Sequence, residues 1–377
     1  METFVTRLPA VLLWCIAVTQ WGFAGTVSAQ KIDDIFAGLR SVDAPGAAVL
    51  VINDGKPVYQ HGYGVTDLRT RNKIDEHTNF RLASVSKQFT AMAVMLLVHD
   101  GKLRYEGRLT QIFPDFPPYG NSITIRSLLN HTSGLLDYED LMPQPYGSPT
   151  RGDITQIQDS EVLDLLRKQK STKFVPGSRW DYSNSGYVVL GQVVEKVSGR
   201  SFGDFLHDRI FVPLGMNHTI AYQRGKNQVA NRAYGHTREK GVWQETDQSP
   251  TSATLGDGGI YSSLTDLAMW DTALRHHTLL SETEMQPALT PVQAPGVQEP
   301  DGKPAAYGFG WFLNPYKGHN RMWHYGETVG FRTTIQRFPD DNLTVIILCN
   351  RADVVPKDLA LKVAELFFGR AADSPLM

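Results

Sequence analysis

Apolar residues are spaced differently at the two ends of the chain and in its middle. Near the amino end, the apolar run Ala47 to Ile52 leads into Asn53-Asp54-Gly55, which predicts a strand followed by a tight hairpin turn. Near the carboxyl end, four short segments predict consecutive strands: Tyr307 to Phe312, Arg321 to His324, Phe331 to Phe338 and Leu343 to Leu348. Helical spacing lies outside these strands, at Ile32 to Leu39 and Pro356 to Phe368.

The middle of the chain has mainly helical periodicity. Helices are predicted at Ser84 to His99, Ile125 to Leu129, Asp159 to Lys168, Gly186 to Val197 and Phe202 to Phe211. Loops rich in proline and glycine separate them, and the sequence leaves open whether the longest, Asp137 to Gly152, acts as a lid. This order predicts an α/β (α+β) architecture, with an α/β subdomain of about residues 30–83 and 255–370 and a helical subdomain of about residues 84–254.

The first 29 residues have the pattern of a secretory signal. Arg7 precedes an apolar run from Leu8 to Ala24, and the small residues Val27-Ser28-Ala29 follow. We therefore expect residues 1–29 to be removed on export, which makes the protein periplasmic or secreted. The alternative is a retained membrane anchor, which the polar residues Thr19 and Gln20 within the run disfavour.

The composition narrows the function classes. The chain has 377 residues, and its 37 Lys and Arg residues are balanced by 39 Asp and Glu residues, so it lacks the basic excess typical of nucleic-acid binding. Cys15 lies in the predicted signal, which leaves Cys349 as a buried, unreactive residue and excludes an internal disulfide from the mature chain. The histidines lack ligand spacing, so neither a metal nor another cofactor is predicted. The oligomeric state stays open.

Ser84-Val85-Ser86-Lys87 is the first candidate for chemistry. On a helix, a spacing of three places Ser84 and Lys87 on one face, within reach of each other. A serine hydroxyl is a weak nucleophile without a base, and a lysine can be that base if its pKa falls from about 10.4 toward neutrality. Partial burial and neighbouring cations are the usual means. Such a pair also arises by chance, so its weight depends on its companions.

Tyr182-Ser183-Asn184 is the second candidate, in a loop between helices. The tyrosine hydroxyl can pass a proton to a leaving group, and the asparagine amide can orient lysine and substrate. The alternative for Tyr182 is a half-buried structural tyrosine. A second Tyr-x-Asn, Tyr119-Gly120-Asn121, lies in a proline-rich segment that predicts a turn.

His324-Tyr325-Gly326 is the third candidate, at the end of a predicted strand. The missing side chain of Gly326 would let a substrate backbone approach the strand edge, and the following amide, that of Glu327, would point at a developing oxyanion. A lone histidine is more often structural, which is also how we interpret His131.

Together, Ser84-x-x-Lys87, Tyr182-x-Asn184 and His324-x-Gly326 resemble, in this order, three signature elements of the class C β-lactamase and penicillin-recognising DD-peptidase superfamily. The segments Leu128 to Leu135 and Pro213 to Met216 are also similar to phrases of that family. The resemblance implies a β-lactamase/transpeptidase-like fold, in which an antiparallel sheet is flanked by terminal helices and an all-helical subdomain is inserted.

The resemblance also implies a mechanism. In a cleft between the subdomains, Ser84 would attack a carbonyl, Lys87 and Tyr182 would share the proton transfers, and Asn184 would orient. The backbone amides of Ser84 and Glu327 would form the oxyanion hole. His324 would occupy the first position of the third element.

The third element departs from the best-known members of the family, which carry Lys-Thr-Gly there. The bulky phenol of Tyr325 replaces a small hydroxyl that helps to hold a substrate carboxylate. Arg332 is a candidate replacement, with an exposed strand arginine as the alternative. We therefore expect an exported serine hydrolase acting on an ester or amide of a small molecule or peptide. The alternatives are a D-Ala-D-Ala carboxypeptidase or weak β-lactamase, and a non-catalytic ligand-binding homologue.

Overall fold

The computed structural model describes residues 27–143 and 154–368 and contains a five-stranded antiparallel sheet. The strands are, in chain order, β1 (Ala47–Asn53), β2 (Lys56–Tyr63), β3 (Phe80–Arg81), β4 (Ile220–Ala221), β5 (His236–Glu239), β6 (Val242–Glu245), β7 (Ile260–Ser262), β8 (Met322–Thr328), β9 (Phe331–Phe338) and β10 (Leu343–Cys349). The large sheet has the order β2-β1-β10-β9-β8, so strands from both ends of the chain are paired in its centre. A smaller sheet has the order β3-β7-β4, and β5 and β6 form a separate hairpin.

Helices fill the middle of the chain and flank the large sheet. They are α1 (Ala29–Ile35), α2 (Lys87–His99), α3 (Leu109–Ile112), α4 (Ile125–Leu129), α5 (Tyr138–Leu141), α6 (Asp159–Arg167), α7 (Asn184–Ser198), α8 (Phe202–Leu206), α9 (Val212–Leu214), α10 (Leu264–Arg275), α11 (Glu282–Leu289) and α12 (Pro356–Glu365). A π-helical turn, His207–Phe211, joins α8 to α9. Tyr119 and Asn121 lie in the 3₁₀ turn Pro118–Ser122, which agrees with the turn predicted there.

The alternation along β1 explains why the sheet is covered on both faces. Val49 and Val51 pack into the apolar cluster that contains residues of α1 and α12, whereas Leu50 and Ile52 pack into the cluster that contains α2, α7 and α10. Successive side chains of a strand point to opposite faces, so one strand serves both clusters. The predicted antiparallel sheet with flanking terminal helices is thus confirmed.

Two predicted strands at the carboxyl end differ from the structure. Tyr307 to Phe312 is not a strand, because the backbone reverses at Gly310, which has a φ of 74°, and only a single bridge joins its ends. A side chain at Gly310 would also meet the carbonyl oxygen of Lys87 at 2.9 Å. The strand predicted at Arg321 to His324 continues to Thr328 as β8, so His324 lies inside it and not at its end.

The predicted helix from Ser84 to His99 begins differently from the expectation. Residues Ala83–Ser86 form a 3₁₀ turn, and the α-helical part, α2, starts at Lys87. Ala83 has a φ of 48°, in the left-handed region that a residue with a side chain seldom adopts. The residue before Ser84 is therefore held in a strained conformation, as is common beside functional groups.

The predictions for the amino end and for Cys349 meet the structure only in part. Residues 1–26, most of the predicted signal, and residues 144–153 of the long loop lie outside the described residues. The Ser28 hydroxyl caps α1, so the predicted cleavage point falls at the first residue of that helix. Cys349 is buried in β10, and burial raises the pKa of its thiol to about 12. No helix within residues 27–143 or 154–368 is long and apolar enough to cross a membrane.

Candidate active site

Lys87 is the centre of a hydrogen-bonded group that contains Ser84. Its Nζ atom lies 2.9 Å from the Ser84 Oγ, 2.9 Å from the Asn184 Oδ1 and 2.9 Å from the backbone oxygen of Asp257. The Lys87 side chain has no exposed surface. Burial disfavours the charged form and lowers the pKa of Lys87 to about 8, against the opposing effect of nearby carboxylates, of which Asp257 is the strongest.

The environment of Lys87 corrects one expectation. Burial does lower its pKa, but its charged neighbours are the carboxylates of Asp257, Asp137 and Glu139, which raise it. The 3₁₀ turn and the start of α2 bring the Lys87 Nζ within 2.9 Å of the Ser84 Oγ, and the Nζ lies 5.5 Å from the centroid of the Tyr187 ring on α7. The usual second means of lowering a lysine pKa, a neighbouring cation, is replaced here by deeper burial.

The Tyr182 ring lies beside the Lys87 amine. Its ring centroid is 4.9 Å from the Lys87 Nζ, and the residue directly precedes Ser183, whose hydroxyl caps α7. Burial raises the pKa of the Tyr182 phenol, and the nearby Ser84 hydroxyl lowers it only in part. The phenol oxygen is buried and makes no well-aligned hydrogen bond to a described residue. Tyr182 is therefore a protonated phenol beside the Ser84–Lys87 pair.

His131, which we interpreted as structural, holds the Tyr182 segment in place. Its Nδ1 accepts a hydrogen bond of 3.0 Å from the backbone amide of Ser183, and its backbone oxygen accepts one of 2.9 Å from the amide of Asp181. The His131 and Tyr182 ring centroids are 4.3 Å apart. Burial and the charge of Lys87 keep the pKa of His131 well below its usual value, so the ring is neutral.

His324 is a second neutral histidine at the site. Its Nδ1 donates to the backbone oxygen of Tyr325, at 2.7 Å, and its Nε2 accepts from the Tyr307 hydroxyl, at 3.1 Å. Burial and the charge of Lys87 lower the pKa of His324 to about 3. The third motif thus contributes an uncharged ring where the best-known family members carry a lysine.

Gly326 allows a close contact of β8 with Leu82 that the sequence did not predict. A side chain at Gly326 would meet the backbone oxygen of Leu82 at 2.0 Å and the Thr333 Oγ1 at 2.3 Å. The Thr333 hydroxyl donates to the same Leu82 oxygen, at 2.7 Å. The missing side chain lets β8 approach the segment that carries Ser84. β8 is an edge strand, and the approach of a substrate backbone to it stays a prediction.

Tyr325 and Glu327 follow His324 on β8, and Arg332 lies on the neighbouring strand β9. The half-buried Tyr325 ring stacks on His324, with ring centroids 5.8 Å apart. Glu327 forms an ion pair of 2.9 Å with Arg332, which also donates to the backbone oxygens of Thr328 and Phe331. These partners already occupy the Arg332 guanidinium, and the residue is not among those described around the Ser84 cleft.

A polar cleft opens at Ser84. It is lined by Arg81, Ala83, Ser84, Tyr138, Glu139, Asn184, Thr251, Thr254, Asp257, Gly258, Glu327 and Thr328. Sequence reasoning found Ser84, Asn184 and Glu327 but missed Asp257 and Glu139. A usable signal was present, because Asp257 lies in the glycine-rich turn Gly256-Asp257-Gly258-Gly259, where backbone approaches closely. Among the described residues, no group of histidine, cysteine and carboxylate side chains is placed to hold a metal ion.

A serine hydroxyl in contact with a buried lysine of lowered pKa, beside a protonated tyrosine, defines the class of serine acyl hydrolases that use lysine and tyrosine in place of a histidine. The comparison with protein families agrees with this class. The model described as Beta-lactamase matches residues 32–367. The chain therefore belongs to the beta-lactamase family, and it is a serine hydrolase of that family.

The chain is also similar to individual relatives and to solved structures. The chain is 35% identical over 364 residues to penicillin-binding protein 4* of Bacillus subtilis, covering 92% of this chain and 77% of that protein. It is 31% identical over 313 residues to a D-aminopeptidase of Brucella anthropi, which is 82% of this chain but only 57% of the relative. The structure of a penicillin binding protein from Bacillus halodurans has a TM-score of 0.74 at 28% identity, covering 89% of this chain and 99% of the other.

Proposed function

We propose that this chain hydrolyses an ester or amide bond through an acyl-enzyme on Ser84. The observation that carries the proposal is the 2.9 Å contact between the Lys87 Nζ and the Ser84 Oγ, in surroundings that lower the pKa of Lys87 to about 8. A neutral lysine at this distance can accept the hydroxyl proton as Ser84 attacks a carbonyl. Asn184 holds the Lys87 amine in position through the hydrogen bond to its Oδ1.

Tyr182 completes the proton path. Because burial raises its pKa, the phenol stays protonated at neutral pH and acts as a donor to the leaving group, with Lys87 returning the proton. The backbone amides of Ser84 and Glu327 belong to residues that line the cleft and would stabilise the oxyanion. Loss of one such donor typically costs about 3–4 kcal/mol of barrier.

The substrate class follows from charge. His324 is neutral, Arg332 is engaged by Glu327, and Glu139 and Asp257 line the cleft. A substrate carboxylate would meet repulsion there, which favours neutral or cationic esters and amides. A D-Ala carboxypeptidase or weak β-lactamase is the second candidate, supported by the 35% identity to penicillin-binding protein 4*. The D-aminopeptidase relative supports an amide substrate with a D-amino acid.

The acyl-enzyme is tested by mass spectrometry. Incubation with a fluorophosphonate probe should add the mass of the probe to the peptide that contains Ser84, and Ser84→Ala should abolish the addition. A panel of acyl esters, D-amino-acid amides, D-alanyl peptides and a chromogenic cephalosporin should then rank the substrates. Labelling that persists in Ser84→Ala would refute the mechanism, and absence of both labelling and turnover would favour the non-catalytic alternative.

We also propose that the protein is exported to the periplasm or the medium, on the basis of the signal pattern in residues 1–29. Amino-terminal sequencing of the chain recovered from the cell envelope or the medium should start at Gln30. A chain that retains residue 1 and fractionates with the membrane would instead indicate an uncleaved anchor.

A further inference from the structure

One atom, the Lys87 Nζ, contacts both the backbone of Asp257 and the nucleophile Ser84. The Lys87 Nζ contacts both the Ser84 Oγ and the backbone oxygen of Asp257, each at 2.9 Å. Asp257 lines the same cleft as Ser84. A group attached to the carbon next to a carbonyl under attack by Ser84 would therefore lie close to Asp257.

The Asp257 carboxylate is only half satisfied by the protein. The residue is 7% exposed, and its Oδ2 accepts one hydrogen bond, of 3.2 Å, from the Tyr138 hydroxyl. Its Oδ1 is buried and has no donor among the described residues. A buried anionic oxygen without a donor is costly, so a donor supplied by a ligand would remove a real penalty.

The surroundings of Asp257 favour a positively charged donor. Asp137 and Glu139 lie near enough that the charge of Asp257 raises the pKa of each, in addition to burial. Lys87, which contacts the Asp257 backbone oxygen, must lose its proton to act as a base. Arg81 lines the cleft but directs its Nε and Nη2 to the backbone oxygens of Gly258 and Ser252, and no described ion pair joins it to Asp257.

We propose that Asp257 binds an ammonium group of the substrate, next to the bond that is cleaved, so that the enzyme acts on amides or esters of amino acids with a free amino group. This substrate assignment rests on the proposed acyl-enzyme at Ser84. In an amino acyl group, one carbon separates the amine from the carbonyl, which suits a residue that lines the Ser84 cleft and whose backbone oxygen contacts Lys87. Glu139 adds to the negative potential without making the direct contact.

Binding of an ammonium group would also act on the base. Asp257 exerts the largest of the charge effects that raise the pKa of Lys87, ahead of Asp137 and Glu139, while the rings of His131 and His324 are neutral. A cation on Asp257 offsets that effect and favours the neutral form of Lys87. The correct substrate thereby makes its own general base more available.

A matched pair of substrates tests the proposal. The p-nitroanilides of D-alanine and of D-lactic acid differ by an ammonium group in place of a hydroxyl, and the L-isomers serve as a second pair. For the wild type we expect kcat/KM to favour the amino substrate at least about tenfold at a pH where it is protonated. Asp257→Asn should reduce this ratio by about 10- to 100-fold, the usual effect of losing one charge-assisted contact.

Two control variants separate direct contact from general charge. Glu139→Gln removes one negative charge from the same cleft and should reduce the ratio less than Asp257→Asn, with an effect that weakens as salt increases. Asp340→Asn, an exposed residue in the turn between β9 and β10, should leave the ratio unchanged.

The possible failures are distinguishable. Equal kcat/KM values of the wild type for the amino and hydroxy substrates would overturn the ammonium site, and this result needs no variant to fold. An equal loss of kcat/KM on both substrates in Asp257→Asn would show that the residue supports catalysis without binding the amine. This result would also overturn the ammonium site. Loss of probe labelling at Ser84 in the wild type would instead refute the proposed function.

Discussion

Two groups of side chains around Lys87 differ in chemistry. The first, here called the aromatic wall, is a largely buried cluster of rings from the segment after α4, the Tyr182 loop, β8 and the segment before it: His131, Trp180, Tyr182, Tyr307, His324 and Tyr325. The acidic wall consists of carboxylates from α5, its cap and the glycine-rich turn before β7: Asp137, Glu139 and Asp257. The Lys87 Nζ lies 4.9 Å from the centroid of the Tyr182 ring and 2.9 Å from the backbone oxygen of Asp257.

The difference shows how one lysine can be tuned from two sides. The aromatic wall holds two histidines that stay neutral because they are buried and because Lys87 is near. Burial among these rings lowers the pKa of Lys87, whereas the acidic wall raises it. The value of about 8 is the balance. We infer that the aromatic wall sets up proton transfer by Lys87 and Tyr182. We also infer that the acidic wall selects substrates by their charge.

The largest effect should come from breaking the proton path at the aromatic wall. Lys87→Ala and Tyr182→Phe should each lower kcat on an activated ester by about a thousandfold or more, and the double variant should lose little beyond the larger single loss. Tyr119→Phe, in the other Tyr-x-Asn segment, is the matched control and should stay within about twofold of the wild type. Additive losses would mean that Lys87 and Tyr182 act independently.

The pH dependence of kcat/KM tests the balance between the walls. Lys87 acts in its neutral form, so activity on a neutral ester should fall about tenfold per pH unit below the pKa of Lys87, which is about 8. Asp257→Asn removes the strongest effect that raises this pKa, so the acid limb should move to lower pH. Asp137 and Glu139 remain in the variant and limit the shift. An unchanged limb would show that burial alone sets the pKa of Lys87.

Tyr325→Thr tests whether the aromatic wall excludes carboxylates. A small hydroxyl can approach a substrate carboxylate that the phenol ring of Tyr325 keeps away. The ratio of kcat/KM for a cephalosporin over a neutral ester should rise about tenfold, the low end of the range for one charge-assisted hydrogen bond, because the acidic wall still repels the carboxylate. Efficient cephalosporin hydrolysis by the wild type, with no change in the variant, would favour the β-lactamase or carboxypeptidase alternative.

The smallest effect is expected at Asp159, which binds the backbone next to Asp257. Its carboxyl oxygens accept from the backbone amides of Leu255, at 3.1 Å, and Gly256, at 3.5 Å, beside Asp257. Asp159→Asn keeps one acceptor, so we expect a loss of only about 1 kcal/mol in the free energy of unfolding, measured in urea at pH 5.

The difference in unfolding free energy between the wild type and Asp159→Asn should depend on pH. Burial raises the pKa of Asp159 from 3.8 to about 8, so the folded state retains a proton that the unfolded state releases. Stability from this group is present at low pH and is lost as the pH rises through that interval. Asp159→Asn cannot titrate, so the stability advantage of the wild type over the variant should shrink above pH 5 and reverse in sign before pH 8, because each pH unit in this interval removes about 1.4 kcal/mol from the wild type alone. A stability advantage of the wild type that grows with pH would contradict the buried, protonated state.

Much of the fold could be predicted because it depends on local patterns. The apolar run of β1, helical spacing in the middle of the chain and the Asp54-Gly55 turn, where both residues have positive φ, each follow from neighbouring residues. The strand predicted at Tyr307 to Phe312 was wrong because Gly310 reverses the backbone there, against Lys87, a residue more than two hundred positions earlier. No local window contains that contact.

The sequence by itself determined which residues carry the candidate chemistry, because Ser84 and Lys87 are separated by one turn of backbone and the three motifs keep the order of the family. Only the tertiary structure decided their electrostatics. It buried Lys87 beside the aromatic and acidic walls, made His131 and His324 neutral and paired Arg332 with Glu327. It also left one oxygen of Asp257 without a donor among the described residues. Proton affinity and charge complementarity depend on burial and on residues distant in sequence, and these exist only after folding.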